Sequence, residues 1–135
     1  MLEKDYIEEL IEQFSTVVID SLHLALIENN IDNLQAAEEA VGELVSLPAS
    51  QALSLAPESL ATLMQLTGVG DSVGGYAAYT LSRIGDIYKI NGKEGLADLR
   101  YSQASCLAIT FGYALNECPC EFKDLEKEFL DAKGK

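Results

Sequence analysis

The chain has 135 residues, 48% of them hydrophobic, and carries 22 Asp and Glu against 9 Lys and Arg. That length fits one domain, 1–135, which buries about two-thirds of its surface on folding and needs no metal or disulfide staple to hold a core. The formal charge of −13 works against binding DNA, RNA or anionic lipid, and the basic residues are scattered rather than gathered in a patch.

The first predicted helix runs from about Lys4 to Glu28, with Ile7, Leu10, Ile11, Phe14, Val17, Val18, Leu22, Ala25 and Leu26 on one apolar face. Asp5, Glu8, Glu9 and Glu12 crowd its first turns, where acids complement the helix dipole. Ile19, Leu24 and Ile27 lie off the main stripe, so this helix carries more apolar surface than one neighbour can cover. The Met1–Tyr6 opening lacks a basic region leading into a long apolar run, and three cysteines form an odd set. These features predict free thiols and a cytoplasmic location. The longest uncharged stretch in the C-terminal half, Ser102 to Asn116, is too short to span a bilayer, and no membrane partner is expected.

After Asn29-Asn30 a second helix is predicted from about Asp32 to Leu47, ended by Pro48. A short piece over Ser50–Leu55 and a helix begun by Pro57 over Glu58–Leu66 follow. The turn Gly68-Val69-Gly70-Asp71-Ser72 leads into a long helix from about Val73 to Ile90, with Asp71 or Ser72 as its cap. Asn91-Gly92 stops it, and another long helix extends from about Lys93 to Asn116. Pro119 restarts the chain for a last helix, Glu121–Lys133, with Phe122, Leu125, Phe129 and Leu130 on one side. No segment alternates with period two between hairpin turns, so the expected fold is all-α, a bundle of roughly five to seven helices.

Within it, Leu81, Ile84, Gly85, Tyr88, Ala97, Tyr101 and Ala104, with Gly92 in the turn, resemble a tetratricopeptide-repeat helix–turn–helix over about 78–111. Small residues at Gly85 and Ala97 let two antiparallel helices approach closely, and the larger residues form facing stripes. No second copy is found at that period, and the closing proline of the pattern is missing, so this is one hairpin and not an array. The opening Met1, Leu2, Asp5, Tyr6, Ile7, Ile11, Glu12 and Phe14 is similar to that of a family of small bacterial all-helical proteins of unknown function. That resemblance implies an all-helical fold and brings no catalytic or binding residues with it.

Candidate chemistry is thin. Gly68 to Gly75 is glycine-rich like a phosphate loop, but no Lys-Ser/Thr follows and Asp71 is the nearest charge; Gly74 and Gly75 read better as close-packing positions. His23 is the only histidine, with Asp20 one turn away, which reads as a surface pair or a partly buried hydrogen bond. Cys106, Cys118, Cys120 and His23 supply the atoms for a zinc site but lack the paired spacing such sites use, so buried or idle thiols are the favoured reading and no cofactor is expected. Glu8, Glu9, Glu12, Glu38, Glu39 and Glu43 can meet between the first two helices, though the same residues describe solvated helix faces. No residue set supports an enzyme.

The expectation is therefore a non-enzymatic protein–protein interaction module with a protein partner, or itself in a homodimer. Its motivation is the surplus apolar surface on the first helix and over Ala104–Leu115. The alternative is a small-ligand or metal-binding regulatory domain, with Tyr76, Tyr79, Tyr88, Tyr101 and Tyr113 lining a cleft.

Overall fold

The computed structural model describes residues 2–133 and contains, among them, seven α-helices and no strand. They are α1 (Leu2–Glu28), α2 (Gln35–Leu44), α3 (Ala49–Ala52), α4 (Pro57–Leu66), α5 (Gly70–Ile90), α6 (Glu94–Phe111) and α7 (Lys123–Lys133). Short 3₁₀ turns, Ile31–Leu34 and Cys120–Phe122, lead into α2 and α7.

Four helices end in the same way, and the stop positions explain where sequence reasoning overran. At the ends of α1, α2, α5 and α6, the residues Asn29, Ser46, Gly92 and Gly112 take positive φ of 52°, 59°, 77° and 68°. The following amide then reaches back to the fifth carbonyl before it: Asn30 to Ala25 (3.2 Å), Leu47 to Gly42 (3.0 Å), Lys93 to Tyr88 (2.8 Å) and Tyr113 to Ala108 (2.8 Å). This closure satisfies carbonyls that a helix end leaves open. Hence α2 stops at Leu44 rather than Leu47, and α6 at Phe111 rather than Asn116. At the other end, α5 starts at Gly70, so Asp71 and Ser72 lie inside the helix and neither caps it. The Thr67 hydroxyl accepts from the Val69 amide just before that start instead.

The spine of the fold is the antiparallel pair α5 and α6, joined by a tight Asn91–Lys93 turn. Glycines along α5 let the aromatic side chains of the other strand of the hairpin lie on its backbone. A Cβ on Gly75 would fall 2.7 Å from Tyr113, one on Gly85 2.8 Å from Tyr101, and one on Gly74 would collide with Phe111. Gly74 and Gly75 are thus packing positions. The close approach at Gly85 is against the Tyr101 ring, with Ala97 buried one turn earlier on α6. Around this spine, α4 covers α6, α1 and α2 cover α5, and α7 closes against α1.

The core follows the sequence stripes. Phe14, Val18, Leu22 and Ala25 of α1 and Ala37, Ala40, Val41 and Leu44 of α2 are buried, as are Leu60, Ala61 and Met64 of α4. From the C-terminal segment Phe122, Leu125 and Phe129 enter the core, with Phe122 stacked on Tyr79 at 5.0 Å between centroids. Leu130 does not join them and stays exposed. Burying such side chains contributes about 1.5–3 kcal/mol each, so α1 and α7 are held mainly by their stripes.

Candidate docking groove

The hairpin residues singled out by sequence lie in the interior. Leu81, Ile84, Tyr88, Ala97 and Ala104 are buried, Gly85 is covered by Tyr101, and Tyr101 itself is half-buried. They build the α5–α6 interface.

The polar groups near them are committed to one another. Asp86 accepts from the Arg83 guanidinium and from the Tyr101 hydroxyl, and Lys133 of α7 approaches it at 3.3 Å. Arg83 also lies 3.3 Å from Glu126 and sits over the rings of Tyr79 and Phe129. Burial opposes the Arg83 charge, but Asp86, Tyr79 and Glu126 outweigh it and hold its pKa above the ordinary value. A second cluster centres on Arg100, which donates to Glu38 (3.0 Å) and to the Leu53 carbonyl (2.9 Å), while Gln103 donates to the Leu53 and Leu55 carbonyls. These bonds pin the irregular segment between α3 and α4 to the spine.

Four of the five tyrosines are staples between elements, and Tyr113 closes its own loop. Tyr79 donates to Glu126, Tyr88 to Glu38, Tyr101 to Asp86, Tyr76 to Glu121, and Tyr113 to the Glu117 carbonyl. Burial first, and then the Glu121 and Glu38 carboxylates, push Tyr76 and Tyr88 up to about 12. Tyr113 rises to about 12 through burial and the nearby Cys118 and Glu117. Tyr79 and Tyr101 are raised further, again by burial and then by their carboxylate partners. Tyr76 and Tyr113 also line a small recess of about 320 Å³ with Asp71 and Cys118.

His23 pairs through Nδ1 with Glu128 of α7 at 2.6 Å, not with Asp20. The three cysteines carry free thiols, and burial raises the pKa of Cys118. Among the described residues no group of three or more His, Cys, Asp and Glu is placed to hold a metal ion.

A surface concavity of about 1000 Å³ lies between the N-terminal half of α1 and α2. On the α2 side it is lined by two alanines at i and i+4, the exposed Ala36 and the buried Ala40, so no large side chain fills it from there. Leu10 and Val17 present apolar surface to it, above Phe14 and Leu44, which are buried in the core. Glu9 and Glu12 stand on the α1 rim and Glu39 and Glu43 on the α2 rim. Of the six acids expected between these helices, Glu38 instead turns inward to Arg100 and Tyr88, and Glu8 lies on the opposite flank of α1 beside Tyr76 and Glu121.

No protein-family model, curated protein or solved structure matches this chain.

Within the groove Val17 is 42% exposed, and beyond it α1 leaves Leu24 and Ile27 exposed at 45% and 64%, so its apolar surplus is not absorbed within the fold. Ile109 on α6 and Leu66 on α4 are exposed as well. By length and composition α1 is also apolar enough to cross a membrane, although Phe14, Val18, Leu22 and Ala25 are spent on the core. The sequence marked the acids and the surplus on the first helix. What it missed was the wall formed by Ala36 and Ala40, whose signal was a pair of alanines one turn apart flanked by glutamates.

Proposed function

We propose that this domain is a non-enzymatic protein-interaction module and that the α1–α2 groove is its docking surface. The observation that carries this reading is a trough between two helices in which Leu10, Val17 and Ala36 keep apolar surface open beside the buried Phe14, Ala40 and Leu44. Solvent contact with such surface is unfavourable, and covering it by a partner recovers about 25 cal/mol per Å² of apolar surface. The interior polar groups support the same reading. Asp86, Glu126, Glu38 and Arg100 are engaged in bonds that fasten one helix to another, and Arg83 pairs with Asp86 of its own helix and with Glu126 of α7, which favours a role in stabilising the fold.

A photo-crosslinking side chain placed at Val17 in the native cells tests this directly, with Lys127 on the exposed face of α7 as the comparison position. The expected result is a discrete protein adduct at Val17, absent at Lys127 and lost when Ala36→Trp fills the groove. Identical adduct patterns at the two positions, or a Val17 adduct indifferent to Ala36→Trp, reject the reading.

A further inference from the structure

We infer that the groove receives a basic amphipathic helix from another protein, a conclusion that rests on the docking role proposed above and adds the chemistry of the occupant.

Charge is the first argument. Glu9, Glu12, Glu39 and Glu43 line the groove with no Lys or Arg among the lining residues. Among the described residues none of these four carboxylates is in an ion pair: Glu9 accepts only from the neutral Gln13 amide and Glu39 only from that of Gln35. The acids that face the spine, in contrast, are matched by Arg83, Arg100 and Lys133. Four uncompensated negative charges around one apolar trough set a field that favours a cationic ligand and disfavours an acidic one.

Length is the second argument. The lining residues of α1 run from Glu9 to Val17, which at 1.5 Å per residue is about 12 Å of helix. Apolar anchors at i, i+4 and i+7 span about 10.5 Å, so the trough is long enough for three of them in the helix-in-groove mode. An extended strand covers that distance in about four residues and places only alternate side chains on the floor. The helical occupant uses the trough more fully.

A second copy of this chain fits poorly. A two-fold pairing sets the same patch against itself, so Glu9, Glu12, Glu39 and Glu43 would face their own duplicates on proteins that each carry −13. Phosphate-bearing polymers and anionic vesicles are repelled for the same reason.

The test uses the intact protein and fluorescence anisotropy with three labelled peptides. The first carries Leu at i, i+4 and i+7 with Lys on both flanks, the second has Glu in place of each Lys, and the third scrambles the first. The Lys peptide is expected to bind at least about tenfold more tightly than the Glu peptide at low salt, with the gap narrowing as salt is raised. The scrambled peptide is expected to bind weakly. Glu39→Lys/Glu43→Lys, two changes at exposed positions that are expected to leave the circular dichroism spectrum intact, should cancel or reverse the preference, and Ala36→Trp should weaken the Lys peptide. Equal binding of the Lys and Glu peptides, or of the scrambled one, overturns the inference, as does no binding of the Lys peptide at millimolar concentration. Sedimentation showing a dimer that Ala36→Trp dissociates also overturns it, while leaving a docking groove in place. So does a Val17 crosslink to an acidic partner. If neither the crosslink nor any peptide responds to Ala36→Trp, both the occupant and the groove's docking role fall.

Discussion

The Tyr101 ring lies on the backbone of Gly85 while its hydroxyl donates to Asp86, the next residue of α5. One side chain thus fixes both the distance between the two central helices and the orientation of a buried carboxylate. A methyl on Gly85 would stand 2.8 Å from Tyr101 Cε1, and the hydroxyl bond keeps the ring from swinging away. Gly85→Ala is expected to cost about 1–3 kcal/mol in overpacking, offset by about 0.5–1 kcal/mol of helix preference. Urea unfolding should therefore show a net loss. In a Tyr101→Leu background the same change should become neutral or stabilising. A Gly85→Ala variant as stable as the parent chain would show that the ring is free to move.

Ion pairs in this fold should differ sharply in worth. Asp86 and Arg83 are about nine-tenths buried, and Asp86→Ala strands the guanidinium with Glu126 as its remaining acid partner. The expected loss is about 3 kcal/mol, the lower end for breaking a buried pair. His23 and Glu128 are exposed at 43% and 38%, so His23→Ala should change stability by no more than about 0.5 kcal/mol. Thermal melts of the two variants side by side test the contrast, and equal shifts would contradict it.

Alkaline pH should unfold the protein through its tyrosines. Tyr76, Tyr88 and Tyr113 are raised from 10.0 to about 12, and Tyr79 and Tyr101 are raised as well. Above pH 10 the unfolded chain releases these protons while the folded one retains them, so stability is fully present below about 10 and declines as pH rises toward about 12. The melting temperature is expected to fall steeply across that window, with the tyrosinate absorbance band growing together with loss of helix. A melting temperature that stays level up to pH 12 would show that folding does not hold these tyrosines in their protonated form.

Much of the architecture was legible in the sequence because apolar spacing of three and four residues is a direct imprint of burial. The inward face of α1 is read from spacing at Phe14, Val18, Leu22 and Ala25, with Val17 the exception that stays exposed, and that of α5 at Leu81, Ile84 and Tyr88; the break at Asn91-Gly92 and the packing role of Gly74 and Gly75 are read as well. Helix ends were read less well where the stop is conformational. Ser46 adopts positive φ without being glycine, and Gly112 lies inside the uncharged run Ser102–Asn116, where no proline or charge marks the stop. The partners of His23 and of the tyrosines were not legible, since Glu128, Glu126 and Glu38 lie up to 105 positions away and only tertiary packing brings them close. The groove was half legible: its acids are visible as a pattern, but an empty space is defined by the small residues that fail to fill it.

The contacts of α1 have a consequence for biosynthesis. This helix packs on α5 and α7, yet it leaves the ribosome well before either of them. At about 5–20 residues per second, α7 follows roughly 100 residues later, after some 5–20 s. Until α5 and then α7 emerge, Phe14, Val18 and Leu22 have only α2 and the short turn before it to shelter them, so the nascent α1 presents an apolar face that a holding chaperone can cover.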